Sequence, residues 1–218
     1  MMKTKTILWS LNLLAAVAVS TAVQAADNLV RYMARPGGSV VVEGTSTVHD
    51  WEVEGKIIGG YFMVEPAFQT DLSLKSVKSL TTKETNPKAV ISIPIRSLKS
   101  GKDTMDRIMQ EAMKADKNPM IRFTLKEMVV KGEVPESGSP VTFATKGDLS
   151  VSGVTKEIEM DVTMERKPAK TLVFKGEKKL KMTDFGITPP SPKIPGLGSI
   201  IKTGDEVTVK FTWIVKAR

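Results

Sequence analysis

Ser46, His49 and Asp50 are the residues whose types and spacing come closest to a catalytic set, because serine, histidine and aspartate together can activate a nucleophile. Neighbouring side chains on a strand point to opposite faces, so Asp50 cannot orient the His49 imidazole if this segment is extended. The pattern favours a structural histidine that is hydrogen-bonded near a strand end. Contact with the polar head of a ligand is the second interpretation of His49, and catalysis is the third.

Metal and redox chemistry have few candidate residues. The chain of 218 residues has no cysteine and one histidine, so disulfides, thiolate metal sites and multi-histidine metal sites are excluded. The tripeptide Asp184-Phe185-Gly186 also occurs in the magnesium motif of protein kinases, but neither a glycine-rich phosphate loop nor a His-Arg-Asp loop accompanies it. We therefore predict a protein that is not an enzyme and that carries no cofactor and no metal.

Basic residues outnumber acidic ones, 32 to 24, and the formal net charge is +8. Four lysines cluster in one short segment: Lys175, Lys178, Lys179 and Lys181. Because lysines and acids are interspersed along the chain, a solvated strand face explains the cluster better than a surface for anionic lipid or nucleic acid. Nucleic-acid binding would also need exposed aromatic side chains for stacking, and we predict no nucleic-acid partner.

The N-terminal segment has the three parts of a secretory signal peptide. Lys3 and Lys5 precede an apolar run over residues 7–19, and small residues close the segment at Ala25. The run is about thirteen residues long, whereas a helix needs roughly twenty to span a bilayer. We predict cleavage near Ala25, export to the periplasm or the medium, and no transmembrane segment.

The rest of the sequence is dominated by alternation of polar and apolar residues, which is typical of strands with one buried face. The strictest run extends from Glu157 to Glu165. Other apolar faces are formed by Ile91, Ile93 and Ile95, by Ile121, Phe123 and Leu125, by Val141 and Phe143, and by Val207, Val209, Phe211, Trp213 and Val215. Ser152-Gly153 predicts a tight hairpin, and residues 132–140 predict another connection. One-sided strands must bury their apolar faces on each other, which predicts a β-barrel or a β-sandwich.

One segment between Ser100 and Lys117 has helical spacing instead. Its apolar residues are Met105, Ile108, Met109, Ala112 and Met113. Ser100 followed by Asp103 is similar to a capping box, and Asn118-Pro119 should stop the helix. We expect the helix to lie along the mouth or flank of a barrel. Packing against the barrel explains the methionine stripe better than direct ligand contact does.

Residues 183–199 combine four prolines and three glycines with apolar side chains, among them Phe185. This composition excludes a helix or a central strand. Long ordered loops of this kind often form lids or binding loops. We therefore expect this loop, together with the helix, to control access to the barrel interior.

Five short motifs occur in order along the chain. They are Gly44–Trp51, Ile95–Gly101, Lys114–Phe123, Gly147–Lys156 and Asp184–Ile187. With the helix and the N-terminal segment, they resemble the YceI family of bacterial lipocalin-like proteins. The resemblance implies an all-β fold: an extended eight-stranded antiparallel lipocalin-like barrel with one amphipathic α-helix at its side. It also implies export to the periplasm and a long isoprenoid or similar amphiphilic chain bound inside the barrel.

The sequence predicts a signal peptide over residues 1–25 and a loosely held leader over 26–38, and the resemblance covers one domain over 39–216. Two features depart from the family pattern. Many members have an aromatic-rich first strand before the histidine and an asparagine-arginine pair before Asp-Phe-Gly, whereas here Lys181-Met182-Thr183 precedes Asp184. We expect a different head-group preference, with the tail-binding interior less affected.

An eight-stranded barrel is just wide enough to be filled by side chains or to hold one slender ligand. The residues expected to contact an isoprenoid, quinone or fatty-acid-like ligand are Ile91, Ile93, Ile95, Met105, Met109, Met113, Phe123, Leu125, Phe143, Met160, Val162, Phe185, Phe211, Trp213 and His49. The alternative is a secreted structural or interaction domain with a solid core. Apolar burial builds a core and binds a carbon chain equally well, so the sequence leaves both open, together with a homodimer.

Overall fold

The structure is a computed structural model that describes residues 28–81, 87–192 and 201–218. The predicted signal peptide and the last part of the predicted access loop, residues 193–199, lie outside the described residues.

Within the described residues, the strands form a single antiparallel sheet. They are β1 (Val30–Ala34), β2 (Ser39–Ser46), β3 (Trp51–Gly55), β4 (Gly59–Val64), β5 (Lys88–Pro94), β6 (Leu98–Lys99), β7 (Met120–Val130), β8 (Val141–Val151), β9 (Val154–Lys167), β10 (Thr171–Lys181) and β11 (Thr203–Ala217). The α-helices are α1 (Ala67–Thr70), α2 (Lys78–Thr81) and α3 (Asp103–Ala112), and short 3-10 turns cover Ile95–Ser97 and Met182–Phe185.

The sheet closes into a barrel of eight strands in the order β1, β4, β5, β7, β8, β9, β10 and β11, because β11 also pairs with β1. Beyond β1, strand β2 takes over the pairing with β11. Strands β3 and β6 then extend the edge formed by β2. The prediction of an all-β, eight-stranded antiparallel barrel is therefore confirmed, and the pairing resolves the choice between barrel and sandwich.

The first strand lies where a loosely held leader was expected. Residues 30–34 pair with β4 on one side and with β11 on the other, and Tyr32 is only 2% exposed. The expectation fails at these residues because a five-residue strand with one charged residue shows little alternation of its own. Its place depends on pairing with strands that are distant in the sequence, and that pairing closes the barrel.

The connections follow local turn chemistry. Ser152 and Gly153 join β8 to β9 with φ angles of 53° and 84°, the positive values of a tight primed hairpin turn. The Ser152 hydroxyl donates to the Met113 carbonyl over 2.9 Å, which ties the hairpin to the end of α3. The predicted hairpin is confirmed, and residues 131–140 join β7 to β8 as expected.

Helix α3 is shorter than predicted, and its N-cap residue, Lys102, makes no side-chain capping hydrogen bond. It ends at Ala112, because Lys114 adopts a left-handed φ of 54° well before Asn118-Pro119. At its start, Asp106 rather than Asp103 accepts hydrogen bonds from Ser100. Both the Ser100 backbone N–H and its hydroxyl lie 2.7 Å from Asp106 Oδ1. The carboxylate therefore ties the chain before the helix to its first turn.

One end of the barrel, which we call the closed half, is filled by the excursion between β4 and β5 that carries α1 and α2. Its aromatic rings pack edge-to-face: Phe68 lies 6.1 Å from Tyr32 and 5.9 Å from Phe62, centroid to centroid. Arg166 covers this plug, with its guanidinium 4.2 Å above the Phe68 ring and a 2.9 Å hydrogen bond to the Phe68 carbonyl. Burial raises the pKa of the Tyr32 hydroxyl, as expected for a phenol inside a packed core.

Candidate functional site

The other end of the barrel, which we call the open half, contains a cavity of about 650 Å³. Its floor is formed by Phe62, Phe174 and Trp213, where the closed half begins. Helix α3 and residues 182–192 lie at the upper end. Phe174 and Leu180 are separated by about 20 Å of strand along β10, and the usual tilt of strands in a barrel reduces this to a depth of roughly 15 Å. The barrel is therefore hollow over much of its length.

The open half stays hollow because its large aromatic side chains lie against glycines in the wall. A Cβ at Gly176 would come within 2.7 Å of the Phe211 ring, its partner across β10 and β11. A Cβ at Gly147 would come within 2.5 Å of the Phe123 ring, and the Trp51 indole occupies the corresponding place over Gly44. Each ring thus covers backbone instead of filling the centre of the barrel.

Most of the residues predicted to face a ligand line this cavity. They are Ile91, Ile93, Met105, Met109, Met113, Phe123, Leu125, Met160, Val162, Phe185, Phe211, Trp213 and His49. The alternation on the strands and the helical spacing of the methionines therefore identified the inner surface. Whether these side chains contact a ligand stays a prediction.

Ile95 and Phe143 do not line the cavity, so the prediction is wrong at these two positions. Pro94 ends β5, and Ile95 begins a 3-10 turn in which its N–H donates to the Pro119 carbonyl over 2.9 Å. The turn breaks the alternation that placed Ile95 with Ile91 and Ile93. Phe143 does face inward, but it is fully buried in the packed core of the closed half.

Lys178 is the functional candidate that the sequence interpretation missed. Leu172, Phe174, Gly176, Lys178 and Leu180 alternate along β10, and all but Leu172 border the cavity or its aromatic lining. The lysine cluster was predicted to be a solvated strand face, which describes Lys175 and Lys179 but not half-buried Lys178. The alternation from Phe174 was the signal that could have placed Lys178 inside.

His49 lies in the exposed turn between β2 and β3, at the rim of the cavity. Its Nδ1 is 2.6 Å from the Asp50 carbonyl oxygen, so Nδ1 carries the proton and donates it. The Ser46 hydroxyl donates to the His49 carbonyl over 2.7 Å. These bonds tie side chains to the backbone of the turn, and the Asp50 carboxylate does not orient the imidazole as a catalytic triad requires.

The polar groups of the lining are few and carry one sign of charge. Among the described lining residues there are serine, threonine, lysine and histidine, but no aspartate or glutamate. Thr145, near the middle of β8, donates its hydroxyl to the Met160 carbonyl over 2.7 Å, so this buried hydroxyl is already satisfied. The lower part of the cavity is therefore apolar. The charged groups of the cavity as a whole are Lys102, Lys178 and Lys181.

The wall of the cavity has a seam between β9 and β10. These strands pair from Lys167 and Thr171 up to Val162 and Gly176. Above that point, residues 154–161 of β9 and 177–181 of β10 do not pair with each other in the described structure. Side chains on both edges line the cavity, among them Met160 and Leu180. Fewer inter-strand hydrogen bonds therefore hold the open half together.

The described part of the chain contains neither a metal-binding cluster of side chains nor a membrane-spanning helix. No group of three or more histidine, cysteine, aspartate and glutamate side chains there is arranged to hold a metal ion. None of the helices in those same residues has the length and apolar character needed to cross a membrane.

A family model described as the YceI-like domain matches residues 32–214. No curated protein sequence matches the chain significantly. Among solved structures, BcnA of Burkholderia cenocepacia is 18% identical with a TM-score of 0.57, over 81% of this chain and 95% of that one. A polyisoprenoid binding domain from Saccharophagus degradans, implicated in plant cell wall breakdown, is 12% identical with a TM-score of 0.59, over 88% of this chain and 100% of that one. The YCEI protein of Campylobacter jejuni is 19% identical with a TM-score of 0.50, over 75% and 82%.

Proposed function

The chain belongs to the YceI-like family, and from that premise we propose that it is a periplasmic carrier that holds the long apolar chain of an isoprenoid or another amphiphilic lipid inside its barrel. The similar domain from Saccharophagus degradans is named for polyisoprenoid binding, which supports this ligand class. The bound molecule enters through the open half, with α3 and the loop after β10 controlling its access.

The hollow open half is the observation that carries the proposal. A cavity of about 650 Å³ lies within the range of small-molecule sites, and its lining is almost entirely apolar. Its depth of roughly 15 Å is similar to the hydrocarbon thickness of one leaflet, which is half of about 30 Å. Each methylene buried there contributes about 0.8 kcal/mol, so a long chain binds tightly without any specific polar contact.

Native mass spectrometry of the protein purified from its natural host, followed by solvent extraction, tests this function. We expect a co-purifying amphiphile of defined mass. The variant Met160→Trp fills the cavity from β9 and should lose that molecule. Glu159→Trp is the matched control, because it adds the same bulk to the neighbouring, outward-facing position. Repeated recovery of an empty protein that also fails to take up added lipid would reject the function.

Export is a separate part of the proposal and is supported by the N-terminal segment, where Lys3 and Lys5 precede the apolar run that ends before Ala25. Fractionation of the host should find the protein in the periplasm, and its intact mass should correspond to a chain that begins at Ala26. A cytoplasmic protein that retains Met1 would contradict this part and leave the ligand proposal standing.

A further inference from the structure

The cavity combines apolar walls with lysines and has no carboxylate among its described lining residues. From this combination we propose that the protein selects an amphiphile with an anionic head, a carboxylate or a phosphate, and that Lys178 is the residue that recognises it. This inference rests on the proposed lipid-binding function and specifies the chemical class of the head group.

Lys178 lies on the inner face of the barrel. It follows Phe174 and Gly176 along that face and is directly opposite Val209 on β11. Its side chain is half-buried and lines the cavity. At the rise of a strand it is about 13 Å further along β10 than Phe174, so a chain that reaches the floor would have its head near this lysine or above it.

The ammonium group of Lys178 has no hydrogen-bond or ion-pair partner among the described residues. The neighbouring lysines on the outer face do have partners: Lys175 is 2.8 Å from Glu165, and Lys179 is 3.4 Å from Glu206. Among the described residues, carboxylates therefore pair with the outer lysines Lys175 and Lys179 but not with Lys178.

A cation held against an apolar wall loses part of its hydration, and this cost is offset when an anion pairs with it. A lysine is a compact point charge suited to a carboxylate or a phosphate. Lys102 before α3 and Lys181 at the end of β10 add positive charge at the upper cavity, where both are exposed. Because the charged groups among the described lining residues are lysines and none is acidic, a cationic head is strongly disfavoured, whereas a neutral head meets no repulsion.

Matched probes with one tail and different heads test the inference. The delipidated protein is titrated with hexadecanoate, hexadecyl phosphate, hexadecanol and hexadecylamine. We expect the two anions to bind roughly ten- to a hundredfold more tightly than the alcohol, as for a hydrogen bond to a charged group. The amine should bind most weakly. Inorganic phosphate alone should fail to displace hexadecyl phosphate, which would separate an amphiphile site from a free-phosphate site.

The variant Lys178→Met removes the charge at similar volume, and its ratio of hexadecanoate to hexadecanol affinity should fall close to one. Lys178→Arg should keep the preference for anions. Lys179→Met is the matched control on the outer face and should keep it as well. Equal binding of acid and alcohol by the natural protein, or a preference that survives Lys178→Met, would overturn the inference while leaving the lipid-binding function intact. Failure of all four probes to bind would overturn both.

Discussion

The two halves of one barrel use aromatic residues in opposite ways. In the closed half, Phe62, Phe68 and Tyr32 pack against each other and leave no room, whereas in the open half Phe211 and Phe123 lie against glycines and leave a cavity. The strands are continuous from one half to the other, so strand pairing alone does not make a barrel hollow. The difference lies in whether the neighbouring-strand residue against which an aromatic ring lies has a side chain.

Truncating a phenylalanine in each half should show the largest difference. Phe143→Ala removes a fully buried ring from the closed half, and we expect a loss of about 3–5 kcal/mol in the free energy of unfolding. Phe211→Ala should cost less than about 2 kcal/mol, because that ring already faces empty space and has fewer packing contacts to lose. Urea denaturation of both variants measures the difference.

The comparison would fail if the two losses were equal, since the open half would then be packed as densely as the closed half. Ligand binding gives a second measure. The folded fraction of Phe143→Ala should retain its affinity for hexadecanoate, because Phe143 does not line the cavity.

Replacing Arg166, which lies over the segment with α1 and α2 that fills the closed half, should cause the next largest loss of stability. Arg166→Met leaves the Phe68 carbonyl without its 2.9 Å hydrogen bond and the Phe68 ring without its cation. We expect a loss of about 2–3 kcal/mol. Hydrogen exchange should accelerate in α1 and α2 and stay slow in β7 and β8. Acceleration spread evenly over the barrel would show that the plug is not a separate unit of the closed half.

Adding a side chain at a glycine of the wall should fill part of the cavity in the open half, as side chains fill the closed half. Gly176→Ala places a Cβ 2.7 Å from the Phe211 ring, which must then turn into the cavity. We expect hexadecanoate affinity to fall about tenfold, or ~1.4 kcal/mol. The double variant Gly176→Ala/Phe211→Leu relieves the clash and should recover most of the loss. If Gly176→Ala left the hexadecanoate affinity unchanged, the position of the Phe211 ring against the wall would not determine the cavity volume.

The barrel could be predicted from the sequence because its signal is local. Alternation over residues 157–165 and helical spacing from Met105 to Met113 depend only on residues that are close together in the sequence. The structure contains both the strand and the helix that these patterns predict. Residues 30–34 could not be placed, because their strand is defined by partners in β4 and β11. Ile95 was misplaced by a single turn, since one break in the alternation changes the faces of all the residues after it.

The inner surface of the site was predictable, but its emptiness was not. Alternation identifies which side chains face inward, among them Phe211, yet it gives no cross-strand register. Only the register shows that Gly176 is opposite Phe211, where the absence of a side chain leaves room for the ring against the wall. Lys178 was missed for a related reason. A cluster of lysines predicts a solvated strand face, although the alternation along β10 places Lys178 on the same face as Phe174.

The smallest effect concerns the carboxylate that ties α3 to the open half. Burial alone would raise the pKa of Asp106, but hydrogen bonds from Ser100 and the charge of Lys99 at 3.4 Å lower it on balance. Because the folded pKa lies below the unfolded value of about 3.9, this stabilisation is complete above that value and is lost as the pH falls toward the folded pKa. Asp106→Asn should therefore cost about 1 kcal/mol near pH 7, and the difference should shrink progressively as the pH falls below about 4.

Asp103→Asn is the matched control, because Asp103 is the capping residue expected from the sequence and is exposed. Its loss should be about 0.5 kcal/mol, the size of a carboxylate in the first turn of a helix. Urea denaturation of both variants from neutral to acidic pH makes the comparison. If Asp103→Asn had the larger effect, the cap would be the predicted one, and the link between Ser100 and Asp106 would not hold α3 over the cavity.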